Sequence, residues 1–90
     1  MDENLRNQIT VAAYYLSQKN YTYDKLCWML AERQLVAQQD PRYAHKDRIR
    51  EKAAEIYFGS TPYDILVWLI AEFDIRLKIK KSGKPQDRII

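Results

Sequence analysis

Thiol and imidazole side chains are nearly missing from this 90-residue chain, which has one cysteine, Cys27, and one histidine, His45. A lone cysteine forms no intramolecular disulfide and assembles no thiolate metal site by itself, so a reducing, cytoplasmic setting is expected. Glycine and proline are scarce, at two and three residues, a composition that disfavours turn-rich β architectures and leaves helices. Long apolar runs are absent too. The longest, Ile65 to Ala71, falls far short of the roughly 20 residues that cross a bilayer. The opening Asp2 and Glu3 are not a basic signal segment, so neither export by that route nor a membrane partner is expected. No Gly-rich phosphate loop, nucleophile elbow or zinc spacing occurs, so the sequence predicts no enzyme, no cofactor and no metal.

What is present suits a small globule. Hydrophobic residues make up 47% and charged residues 30%, which places the chain among folding rather than disordered sequences. Its length gives one domain near the lower limit for a self-sufficient core. The net charge of +3 is unevenly placed, because Arg76 to Arg88 holds six Lys or Arg against one Asp. A mildly acidic body therefore carries a basic end.

Shifted by 40 residues without a gap, the chain matches itself over 9–35 and 49–75. Eight of those 27 positions are identical, Tyr23-Asp24 with Tyr63-Asp64, Trp28 with Trp68 and Ala31-Glu32 with Ala71-Glu72 among them, where composition alone gives about two. The sequence reads as a duplication. Leu5, Ile9, Ala12, Ala13 and Leu16 set an apolar stripe along a first helix at about 4–19. Asn20 tolerates a left-handed turn, and Thr22 with Asp24 starts a second helix at about 22–38, stopped by Asp40-Pro41. Ile49, Ala53 and Ile56 line a third helix that Gly59 caps, and Thr61-Pro62 opens a fourth with a capping hydroxyl and a first-turn proline. From Phe73 to Lys80 apolar and charged residues alternate like a strand, whereas Lys80, Lys81, Gly83 and Pro85 mark a helix C-terminus. The helical reading is preferred.

The expected fold is thus all-α, two tandem pseudo-symmetric helical hairpins (4–38 and 46–81) in one compact four-helix domain spanning 1–81. Helices 2 and 4 are expected at the centre, and 82–90 is read as a basic flexible tail. On Ala53, Ile56-Tyr57, Gly59, Pro62 and Trp68-Leu69-Ile70-Ala71-Glu72, the second copy resembles a short uncharacterised bacterial helical-hairpin domain family with a Trp-Leu-x-Ala-Glu motif. The first copy resembles it through Ala13, Leu16 and Trp28-Met29-Leu30-Ala31-Glu32. The resemblance implies the hairpin fold and no particular activity.

Trp28 and Trp68 read as hairpin core, with one exposed as an anchor in the alternative. Glu32 and Glu72 lack the Glu-x-x-His partners of a di-iron bundle, so they read as ion-paired or tyrosine-bonded. Cys27 aligns with Val67 and has no base beside it in sequence, which makes it a small buried residue rather than a nucleophile. Seven tyrosines favour protein contacts where they are exposed.

The function expected is binding of a protein partner or of the chain itself, as an adaptor, a regulatory subunit or a small inhibitor. Tyr15, Tyr21, Trp68, Phe73 and Leu77 are the candidate contacts. A phage or mobile-element inhibitor of a host system has the same features. The alternative is a nucleic-acid-binding module using Arg76, Lys78, Lys80, Lys81, Lys84 and Arg88 on phosphates. It is less favoured, because no aromatics flank these cations for base stacking.

Overall fold

The computed structural model describes residues 3–83. Its four helices are α1 (Glu3–Ser17), α2 (Tyr23–Ala37), α3 (Lys46–Phe58) and α4 (Tyr63–Gly83), with no strand among the described residues. The all-α, four-helix protein expected from the sequence is the one that forms.

Local chemistry explains most of the boundaries. Asn20 takes φ 55° between α1 and α2, a region asparagine enters at low cost. Thr22 caps α2, its hydroxyl accepting from the Lys25 amide at 3.1 Å, which satisfies one of the four orphan donors of a helix start. The end of α2 is set earlier than Asp40-Pro41. Gln39 adopts φ 58°, and the Asp40 and Gln39 amides donate to the Leu35 and Val36 carbonyls, each at 3.0 Å. This Schellman closure reverses the backbone before proline is reached.

Two expected end signals work differently from their reading in sequence. Gly59 is the C-cap of α3 but stays right-handed at φ −76°, and the left-handed residue is Ser60, at φ 57°. Position 60 corresponds to Asn20 at the offset of 40, so the turn conformation is shared although the residue types differ. Pro62 stands one step before α4, its carbonyl accepting from the Leu66 amide as the Thr22 carbonyl accepts from Leu26. Proline therefore occupies the cap position, and Thr61 contributes its main-chain carbonyl to a tertiary bond instead.

α4 runs without interruption through 74–80 and takes in Ser82 and Gly83, which the sequence reading assigns to the tail. The alternating pattern serves two faces of one helix. Leu69, Phe73 and Leu77, spaced by four, are half-buried, and so is Ile75. Extending an existing helix costs far less than nucleating a strand that has no partner. The rest of the tail, 84–90, lies outside the described residues.

α2 and α4 form the centre. Leu26, Cys27 and Leu30 interlock with Leu66, Val67 and Ile70, six buried residues drawn in equivalent pairs from the two helices. Burying a side chain of this size contributes about 1.5–3 kcal/mol. A second buried cluster joins Ala31 and Leu35 of α2 to Ile49 of α3, with Trp28, Ala53 and Ile56 packed on it.

The pairing of the outer helices departs from two self-contained hairpins. α1 packs on α4 and α3 packs on α2, while the backbone of α1 makes no close approach to α2, nor that of α3 to α4. Each matched segment thus sends its first helix to the other segment's second helix. Two hydrogen bonds follow the same crossing rule: the Tyr23 hydroxyl donates to the Thr61 carbonyl at 2.6 Å, and the Tyr63 hydroxyl donates to the Tyr21 carbonyl. Exchanging each residue for its match at the offset of 40 turns one bond into the other. Reciprocity of this kind is the mark of an isologous contact, here made within one chain.

Candidate functional site

A groove of about 360 Å³ runs between α2 and α3, lined by Asp24, Cys27, Trp28, Arg50, Ala53, Ala54, Tyr57 and Phe58. It forms because position 27 on α2 and positions 53 and 54 on α3 carry small side chains, leaving a depression between aromatic walls. Phe58, at 81% exposure, is the most exposed large apolar side chain among the described residues, and Tyr57 beside it is 47% exposed. Tyr23, Tyr57 and Phe58 form a chain of edge-to-face contacts with centroids 5.5 and 5.4 Å apart. Edge-to-face contact is a preferred arrangement of aromatic pairs. Burial holds the proton on the Tyr23 phenol by raising its pKa, with Cys27 and Tyr57 adding to the effect, consistent with its role as donor to Thr61.

The other segment provides an internal comparison. At the offset of 40, Tyr57 and Phe58 correspond to Ser17, the last residue of α1, and Gln18, just beyond it. Packing therefore does not demand aromatics at the end of α3. An exposed phenylalanine in a place where the fold accepts glutamine is the kind of apolar excess that marks a contact surface. The groove also carries one charge of each sign. Asp24 is exposed and makes no ion pair among the described residues, and Arg50 has a solvent-exposed partner, Asp47, at 3.2 Å.

Cys27 at the base of the groove is 1% exposed. Burial pushes its thiol pKa up, and the Asp24 carboxylate adds to the effect, so the thiolate needed for nucleophilic or metal chemistry is disfavoured. No group of three or more His, Cys, Asp or Glu able to hold a metal occurs among the described residues.

A polar depression of about 410 Å³ near the linker is lined by Arg42, His45, Lys46, Asp47, Arg48 and Glu51. Several of these charges are committed to one another. Asp40 accepts from the Arg42 amide at 2.7 Å and from Arg48 Nε at 3.1 Å, and Arg48 reaches Glu51 at 2.7 Å. The Arg42 amide, first, and then the Arg48 guanidinium hold the Asp40 carboxyl below its usual range. The network organises the linker.

The residues expected to bind a partner are dispersed. Tyr15 on α1 is exposed, with an edge contact to Tyr14 at 5.5 Å. Tyr21 and Phe73 pack against the central core, while Trp68 and Leu77 are half-buried on α4. Trp28 is likewise half-buried, so neither tryptophan is a fully enclosed core residue.

Among the expected phosphate contacts, Arg76 is tied to Glu72 at 3.0 Å and Lys78 is exposed. Lys80 and Lys81 fall on the last turns of α4, and Lys84 and Arg88 lie outside the described residues. None of the five expected partner contacts lines the α2/α3 groove. The signal that finds it is the mismatch within the self-alignment, aromatic Tyr57-Phe58 against polar Ser17-Gln18. No helix among the described residues is long and apolar enough to cross a membrane. Compared with known proteins, the chain matches no family model, no curated protein and no solved structure.

Proposed function

We propose that this protein acts by binding a protein partner through the α2/α3 groove, as an adaptor, a regulatory subunit or a small inhibitor, and not by catalysis. The observation that carries the reading is Phe58, held 81% exposed at the rim of an apolar groove where the matched position is Gln18. Interface energy concentrates in a few aromatic anchors that sit against well-shaped pockets. Trp28, Tyr57 and Phe58 supply the aromatic component, while Asp24 and Arg50 supply a polar rim. The duplication read from the sequence suits this role, since one segment can change its surface while the other keeps the plain helix end.

The test compares the full chain with a Phe58→Gln variant, each immobilised and exposed to extract of the source cell. A specifically retained protein that the variant loses is the expected result. Identical retention by both proteins would overturn the reading. Neutralising Lys80, Lys81, Lys84 and Arg88 to glutamine is expected to leave retention unchanged. If instead those substitutions abolish a complex with DNA or RNA that weakens steeply with salt, the nucleic-acid alternative takes its place.

A further inference from the structure

We propose that the occupant of the α2/α3 groove is a second copy of this chain, bound about a two-fold axis so that each Phe58 seats in the partner's groove. The proposal rests on the binding role just given to that groove and names its partner. An isologous contact requires one patch to hold both members of every interaction, since the same surface is used twice. This patch does so in shape and in charge. Phe58 projects as a knob with 81% of its surface exposed, and immediately beside it lies a hollow of about 360 Å³ among Cys27, Trp28, Ala53 and Ala54. Asp24 and Arg50 line the same hollow, so a two-fold axis passing between them brings the aspartate of each copy toward the arginine of the other.

A partner of a single charge would leave one of these two groups facing a like charge or none. A second copy satisfies both. Arg50 gives up only a solvent-exposed pairing with Asp47, a kind of bond worth little. Aromatic side chains bury about 150–250 Å² each, so two exchanged phenylalanines with Tyr57 and Trp28 around them form the centre of an interface near the lower end of the usual size range. The expected affinity is accordingly micromolar.

Sedimentation equilibrium of the full chain from about 1 to 300 μM tests this, and we expect a monomer–dimer equilibrium with its midpoint in that range. Phe58→Gln, which installs the residue the fold accepts at position 18, should weaken the dimer on the order of 1000-fold, because two anchors are lost per dimer. Asp24→Arg and Arg50→Asp should each weaken it, and the double variant carrying both changes should recover it, since every crossing pair is then restored in reverse. Circular dichroism of each variant confirms that it is folded.

A wild-type chain that stays monomeric at 300 μM overturns the proposal. So does a Phe58→Gln protein that dimerises as well as wild type, or a double variant no better than the singles. A monomeric wild type whose Phe58→Gln variant still loses a retained partner removes the second copy but keeps the groove as a binding site. Loss of both results removes the two together.

Discussion

Ser60 holds φ 57° without being glycine, and a left-handed residue with a Cβ stores about 1 kcal/mol of backbone strain. Ser60→Gly is therefore expected to raise stability by about 1 kcal/mol in urea unfolding. Gly59→Ala should be neutral or mildly stabilising. Gly59 is right-handed, and an added Cβ meets only the Glu55 and Ile56 carbonyl oxygens at 3.4 Å. Glycine is the usual residue for a left-handed helix end, and here the adjacent serine takes that conformation instead.

Asp40 gives a second test at this scale. Its folded pKa is lowered first by the Arg42 amide and then by Arg48. The stabilisation it provides is thus complete above the unfolded carboxylate pKa near 4 and is lost as pH falls through the lower folded value. Asp40→Asn should lower the melting temperature at pH 7. The difference from wild type should shrink progressively below about pH 4, as measured by thermal melts across pH.

At the scale of elements, the crossing of α1 to α4 and α3 to α2 makes specific pairs of residues energetically dependent. Leu35 and Ile49 share one buried cluster, so Leu35→Ala and Ile49→Ala should be non-additive by about 0.5–3 kcal/mol in a double-mutant cycle. Leu35→Ala paired with Ile9→Ala should be additive, because Ile9 lies on α1, which packs on α4. A self-contained first hairpin gives the opposite pattern. Tyr23→Phe is expected to lower the melting temperature more than Tyr63→Phe. Tyr23 is half-buried and Tyr63 exposed, so water replaces the lost donor more easily at the Tyr63 bond.

Considered as a whole molecule, neither segment finishes a core by itself. The central cluster takes three buried residues from each of α2 and α4, and each outer helix depends on the other segment. Unfolding is therefore expected to be a single cooperative transition, with fluorescence of the two tryptophans and far-ultraviolet circular dichroism reporting the same midpoint. Independent melting of 3–38 and 46–83 would show that the crossing pairings contribute little. The crossed arrangement also bears on binding, since the α2/α3 groove exists only because α3 leaves α4 and lies on α2. At protein concentrations below the dimer midpoint, where association adds no stability, a surface change such as Phe58→Gln should leave this transition nearly unaltered, within about 0.5 kcal/mol.

The sequence by itself determined that the chain is helical, where the four helices lie to within a few residues, and that α2 and α4 are central. Apolar spacing, Thr22 and the scarcity of glycine and proline are local quantities that act at short range, which is why they are legible. Which helix packs on which was decided by the tertiary structure alone. The apolar stripe of Ile9, Ala13 and Leu16 can lie against Leu26, Leu30, Ala31 and Leu35 or against Leu66, Ile70, Ala71 and Ile75. These two faces are nearly the same surface, because the segments match. Self-similarity that reveals the helices thus hides their partners. The choice between closing each segment on itself and crossing to the other falls to long-range geometry: the reciprocal Tyr23 and Tyr63 bonds and the direction in which each short turn sends the next helix. The α2/α3 groove follows from that choice, and with it the surface on which Phe58 stands exposed.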